Sequence, residues 1–307
     1  MPGGQERILR RRIKSVISTK KITRAMELIA ATRVVKAQQR AAAARPYSRQ
    51  ITKVIENLAA GGTTIDHPLL NQTADVHKVA FVVITSDRGM AGAYNSSVIR
   101  ATERSLMAHR EQGRDYSLIL IGRKAEGYFR FRHYRIDASF TGVSDTPTYD
   151  NAREIANLVA EKFISGEVQR VELIYTEFIS LGSQRVAVRR FLPLESTATV
   201  AAAGQSELVA AAEFEPSAPG LLAALLPRYV EARLFGAMLE GAASEHASRQ
   251  RAMKAATDNA DELQTKLTRQ MNRARQDAIT TEIMEIVSGA EALRAEDAEA
   301  LIELAET

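Results

Sequence analysis

The chain has 307 residues, 41 basic and 37 acidic side chains for a net charge of +4, 6% aromatics, and neither cysteine nor tryptophan. That length allows a full core and two structural units, while the lack of cysteine excludes disulfides, thiolate metal sites and thiol switches. So mild a basic excess does not by itself argue for nucleic acid, and so few aromatics fit long alanine-rich helices better than an all-β fold.

Gln5 to Arg45 contain no glycine or proline. The spacing predicts a long helix with an apolar line at Leu9, Ile13, Val16, Thr19, Ile22, Met26 and Ile29, continuing past Pro46 with a bend towards Leu58. Gly61-Gly62 stop it. The opening MPGGQERILRRR lacks the apolar core of a signal peptide, and no run approaches the ~20 apolar residues of a membrane span. A protein kept in the cytosol is expected, able to attach to a membrane complex without inserting.

The middle of the chain has a different grain. Val79–Thr85 is a continuous apolar run and reads as a buried strand. Helix is expected at Asn95–Gln112, strand at Tyr116–Ile121, helix at Lys124–Phe131 and a weak strand at Arg135–Ala138. A helix at Asn151–Ile164 follows, then strands at Arg170–Ile179 and Arg185–Leu194 joined across Leu181-Gly182-Ser183. Strands alternating with helices imply a mainly parallel sheet with an antiparallel edge. Residues 196–220 read as a small-residue connector.

Arg228 to Ser288 carry no proline, and their only glycines are Gly236 and Gly241. Leu239, Ala242, His246, Arg249, Met253, Ala256, Ala260, Leu263 and Leu267 alternate steps of three and four, the seam of a left-handed coiled coil. A second apolar line, Ile279, Ile283, Ile286, Ala290 and Leu293, lies on a rotated face. The two long helices sit at opposite ends of the sequence, so they are expected to pair antiparallel. Charge separates them: residues 5–53 hold fourteen Lys or Arg against Glu6 and Glu27, and residues 276–307 hold nine acids against Arg294. The basic segment could meet an acidic partner or nucleic acid, but it has no aromatic before Tyr47 to stack bases.

No catalytic pattern stands out. Ser86 to Asn95 follows a strand and precedes a helix, where dinucleotide folds hold phosphates. Its G-x-x-G-x-x-N spacing is not G-x-G-x-x-G, and no acid ends the next strand, so the loop is expected to be structural, with no cofactor. His67, His77, His109, His133 and His246 form no i, i+4 metal pair. His246 reads as a register device in the seam, and nothing in the sequence puts two acids in one pocket. No metal site and no catalysis by this chain alone are expected.

Four stretches carry a resemblance. They are Ile13-Lys14-Ser15-Val16 with Lys21 to Glu27, Thr85 to Asn95, Met253-Lys254-Ala255-Ala256-Thr257-Asp258-Asn259-Ala260, and Ile279 to Ala292, which fits I-T-x-E-x-x-[DE]-x-x-x-G-A-x-A at every fixed position. In this order the chain resembles the gamma chain family of F-type rotary ATP synthases, from about Ile8 to Ala292. The resemblance implies a fold: α/β plus a long antiparallel coiled coil, with a Rossmann-like domain inserted between the terminal helices. The divisions would be 1–58 (N-terminal helix), 76–200 (foot domain), 207–295 (C-terminal helix) and 296–307 (acidic tail).

It also implies a non-catalytic rotor subunit, peripheral on the cytoplasmic face of the membrane. Its partners would be the alpha and beta subunits, the epsilon subunit and the c-subunit ring. Positions matching the family's partner contacts are Met26, Arg249, Gln276, Thr280, Glu282, Phe214 and Glu215. A nucleotide-binding α/β domain with a coiled-coil dimerisation arm, and a basic coiled coil binding nucleic acid, are the competing readings.

Overall fold

A computed structural model of the chain describes residues 3–60, 67–71, 73, 75–194 and 218–305. In chain order the elements are α1 (Gly3–Ala60), β1 (Lys78–Ile84), α2 (Tyr94–Glu111), β2 (Asp115–Ile121), α3 (Arg123–Phe131), β3 (Ala138–Phe140), α4 (Tyr149–Ile164), β4 (Arg170–Phe178), β5 (Gln184–Leu192) and α5 (Ala218–Ala305). The chain divides into two compact units, one of residues 1–26 with 253–307 and one of residues 27–252.

In the larger unit the sheet order is β3-β2-β1-β4-β5. β1 pairs in parallel with β2 and β4, β2 in parallel with β3, and β4 antiparallel with β5. The central strand explains the plan. Val79 to Ile84 are all buried because both faces of β1 are covered. Period-2 alternation then divides its side chains. Val79, Phe81 and Val83 join Leu118, Leu120, Val98 and Phe129 under α2 and α3. Ala80, Val82 and Ile84 join Ile155 and Val159 of α4, Ile51 of α1 and Leu234 of α5 on the other face.

Gly241 is where α5 comes closest to the sheet. A Cβ there would stand 3.2 Å from Ile84 Cγ2 and 3.4 Å from the Tyr94 hydroxyl. Gly122 is more constrained still. Its φ is +97°, and a Cβ would fall 2.2 Å from the Thr85 carbonyl oxygen.

The smaller unit is an antiparallel helix pair. The Thr23 and Thr257 hydroxyls lie 2.8 Å apart, and Lys20 pairs with Asp261. Further along, Gln5, Ile8 and Leu9 line one groove with Gln270, Ala274 and Thr281, so α1 numbers fall as α5 numbers rise. Both helices also cross the larger unit.

Several expectations shift. β3 lies at Ala138–Phe140 rather than Arg135–Ala138. Ile136 is apolar because it packs on the α2–α3 face core, not because it pairs. α5 starts ten residues before Arg228 and passes through Pro227, and it runs on through the acidic tail to Ala305.

The expected seam is covered in α5 at Leu239, Ala242, His246, Arg249, Met253, Ala256, Ala260 and Leu267, and in α1 at Leu9, Ile13, Val16 and Met26, with local departures. In α5 the covered line runs Met253, Thr257, Ala260, Gln264, Leu267, Met271, Ala274 and Ala278, and Leu263 is 46% exposed. In α1 it runs Leu9, Ile13, Val16, Lys20, Thr23, Glu27, Ala30, Val34 and Ala37, leaving Ile22 60% and Ile29 54% exposed. Polar residues hold inner positions on both helices, where hydroxyls and ion pairs satisfy them.

Candidate interaction surfaces

The loop after β1 is built from its own side chains. Asn95 Oδ1 accepts from the Ser86 amide at 2.9 Å, and the Ser86 hydroxyl reaches the Arg88 carbonyl at 2.5 Å. Met90 takes φ +60° and Gly92 φ +56°, which turn the chain into α2. Asp87 accepts from the Arg123 amide, the Ser144 amide and the Ser144 hydroxyl at 3.1, 3.1 and 2.9 Å. Partial burial raises its carboxyl, but the hydrogen bonds from residues 142, 144 and 123 outweigh that and hold it below the usual carboxylate range.

Arg249 closes the loop from α5. Its Nε donates to the Gly89 carbonyl at 3.3 Å and its Nη2 to the Arg88 carbonyl at 3.4 Å. Nη2 also reaches Glu245 Oε1 at 2.6 Å, and Nη1 lies 3.3 Å from His246 Nδ1. The loop is thus tied through its carbonyls to the chain's own guanidinium. His246 does more than set register. Its Nε2 lies 3.5 Å from Asp145 Oδ1 and 3.4 Å from the Asp145 carbonyl, and Arg33 of α1 pairs with Asp145 from the other side. Contrary to the sequence expectation, two acids, Asp145 and Glu245, do share one buried site.

The candidate partner positions differ in accessibility. Arg249 is only 7% exposed and fully engaged within the chain. Met26 is half-buried on α1, while Gln276, Thr280 and Glu282 are exposed on α5. Phe214 and Glu215 lie outside the described residues. Gln276, Thr280 and Glu282 lie beside the second apolar line that the spacing picked out, and that line is solvent-exposed. Ile279, Ile283, Met284, Ile286 and Val287 are 50–67% exposed over three turns of α5. On α1, Ile22, Leu28, Ile29 and Val35 are 53–60% exposed. Apolar groups this concentrated are costly to leave in water and mark contact surfaces. Among the described residues no helix is long and apolar enough to cross a membrane.

Comparisons with known proteins agree with this arrangement. A family model described as ATP synthase matches residues 5–293. The Frankia casuarinae ATP synthase gamma chain is 52% identical over 294 residues, covering 94% of this chain and 98% of that protein. The Kineococcus radiotolerans ATP synthase gamma chain is 48% identical over 294 residues, covering 94% and 97%.

Among solved structures, a chain of the Euglena gracilis mitochondrial ATP synthase (OSCP/F1/c-ring, rotational state 3) superposes with a TM-score of 0.65 at 17% identity, over 96% of both chains. A chain of the Tetrahymena thermophila mitochondrial ATP synthase (central stalk/c-ring) superposes at 0.58 and 24% identity, over 76% of this chain and 99% of that one. At those identities the likeness is one of fold. The sequence matches reach from the first turns of α1 to the far end of α5, and on them the chain belongs to the ATP synthase gamma chain family.

Proposed function

We propose that this chain is the central-stalk rotor of an F-type ATP synthase. The pair of long helices α1 and α5 is the shaft, and the α/β domain between them the foot. The shaft turns inside a hexamer of alpha and beta subunits, and the foot rests with epsilon on a c-subunit ring. The chain itself performs no chemistry and sits peripherally on the cytoplasmic face of the membrane. One observation supports this above others: the family match spans both helices and the domain together.

The mechanism needs only unequal contact. A shaft that touched three equivalent beta subunits alike would shift none of their equilibria. A shaft with different sides stabilises a different nucleotide state in each. The sides of these helices do differ: the exposed apolar line of α5 at Ile279, Ile283 and Ile286 has no counterpart where α5 carries the covered line Met253 to Ala278. Met26, Gln276, Thr280 and Glu282 are the shaft positions facing partners, and Phe214 and Glu215 the positions that meet epsilon and the c-subunit ring. Arg249 acts by holding the Arg88–Gly89 turn against α5.

Co-expression with alpha and beta subunits tests the reading. Ile283→Glu with Ile286→Glu should leave thermal unfolding of the isolated chain within about 0.5 kcal/mol, since both side chains are exposed. The same pair should cut recovery of the assembled complex and its coupled ATP synthesis at least tenfold. Normal assembly and coupling by the double variant would remove this surface from the proposal.

A further inference from the structure

The densest buried group of ionisable side chains in the larger unit joins four segments. Arg33 comes from α1, Asp87 from the loop after β1, Asp145 from the β3–α4 connection, and Glu245, His246 and Arg249 from α5. Tyr94 of α2 is also near enough to feel Glu245 and Arg249. A cavity of about 230 Å³ lies beside the group, lined in part by Arg33, Lys36, Arg40, Asp145 and His246. Glu245 is 1% exposed and His246 2%.

Two facts set this group apart from an ordinary ion-pair network. Asp145 Oδ1 and Glu245 Oε2 are buried and have no hydrogen-bond partner. One carboxylate oxygen from each residue and one nitrogen of His246 also lie within 4.8 Å of one another. An unpaired buried carboxylate oxygen costs several kcal/mol if left so. A proton on one of the two carboxyls would lower that cost.

A metal ion would find two carboxylates and an imidazole, but the neighbours are wrong for it. Arg33 and Arg249 face three carboxylates, Asp87, Asp145 and Glu245, so one proton neutralises the group whereas a divalent ion would leave it with an uncompensated positive charge. The imidazole has no lone pair to give. Nδ1 accepts from Arg249 and Nε2 faces the Asp145 carbonyl, which makes Nε2 the N–H nitrogen.

We propose that Asp145 and Glu245 form a carboxyl–carboxylate pair that binds one exchangeable proton, carried on buried Glu245 and shared with Asp145. This proton ties α5 to the β3–α4 connection, and through Arg33 to α1. Taking it up adds one positive charge and supplies one O–H donor. Burial pushes the Glu245 carboxyl up to about 7, with Asp145 and Asp87 adding to the rise and Arg249 opposing it. Burial likewise lowers His246, outweighing the pull of Asp145 in the other direction, so the imidazole is neutral where Glu245 titrates.

The folded value lies above the unfolded one of 4.5. The contribution to stability is therefore complete below about 4.5 and is lost as pH rises through about 7.

The test uses the full chain with ¹³C-labelled glutamate and aspartate carboxyls, titrated by NMR from pH 5 to 9. One glutamate signal, absent from Glu245→Gln, should titrate near pH 7, and Asp145→Asn should move that midpoint to lower pH. The urea midpoint of the wild type should fall between pH 5 and 8, and that of Glu245→Gln should stay level. Should Glu245→Gln not fold, Glu240→Gln removes the other glutamate that burial raises, and the response of the remaining raised signal to Asp145→Asn decides the matter. A Glu245 midpoint below pH 5, or one indifferent to Asp145→Asn, overturns the proposal. So does a midpoint driven down by equimolar Zn²⁺ with a matching rise in Tm, which would make the occupant a metal ion.

Discussion

Arg249 illustrates how a single side chain can stand in for a ligand. Its guanidinium binds two loop carbonyls, a carboxylate and a ring nitrogen, so its planar fork fixes the angle between loop and helix. Arg249→Ala leaves Glu245 buried beside Asp145 without its cation. It should cost about 3–5 kcal/mol in urea unfolding at neutral pH, the usual result of breaking one side of a buried pair. Arg249→Lys should recover only part of that, because one ammonium cannot reach all four partners. Gly122→Ala is the matching backbone case. Its positive φ and the Thr85 carbonyl 2.2 Å from a new Cβ should lower stability by about 2–4 kcal/mol.

At the scale of elements, the parts that could be read from sequence are those whose environment is uniform. β1 and β2 are covered on both faces, so VAFVVIT and YSLILI announce themselves as apolar runs. β3 has three residues with only partial cover, and the neighbouring Ile136 attracted the assignment. The helices were legible as helices and much of their phase with them, but Thr19, Ile22, Ile29 and Leu263 fell off the covered lines. An alanine-rich helix offers small residues on every side, and the inward polar residues Lys20, Thr23, Thr257 and Gln264 broke the apolar count. The buried acid–histidine group was not legible at all, since Asp145 and His246 are 101 positions apart and meet only through the fold. The corrected phase has a direct check. Leu267→Ala should destabilise by about 2–4 kcal/mol, as for a covered leucine, and Leu263→Ala by less than about 1 kcal/mol. Equal effects would restore the seam read from spacing.

For the molecule as a whole, one pattern recurs: each unit is assembled from segments distant in sequence. The larger one closes its core with α1 and α5 residues on the same face as α4. The smaller one consists only of the chain's two extremities. Removing residues 253–307 should therefore leave the larger unit's sheet with its near-native circular dichroism, because the α5 residues in its core, such as Leu226, Val230, Leu234 and Met238, precede the cut. The same truncation should release residues 3–26 to rapid protease cleavage, because their covered line has lost what covered it. Protection of that segment in the truncated protein would show that α1 holds together without α5 there.

The pairing of Thr23 with Thr257 also sets an order in time. On the ribosome the first helix emerges more than two hundred residues ahead of the strand of chain it must wrap against. At about 5–20 residues per second that is a wait of about ten seconds or more. Through that interval Leu9, Ile13 and Val16 face solvent or a chaperone, and the helix pair is finished only once the far part of α5 has emerged.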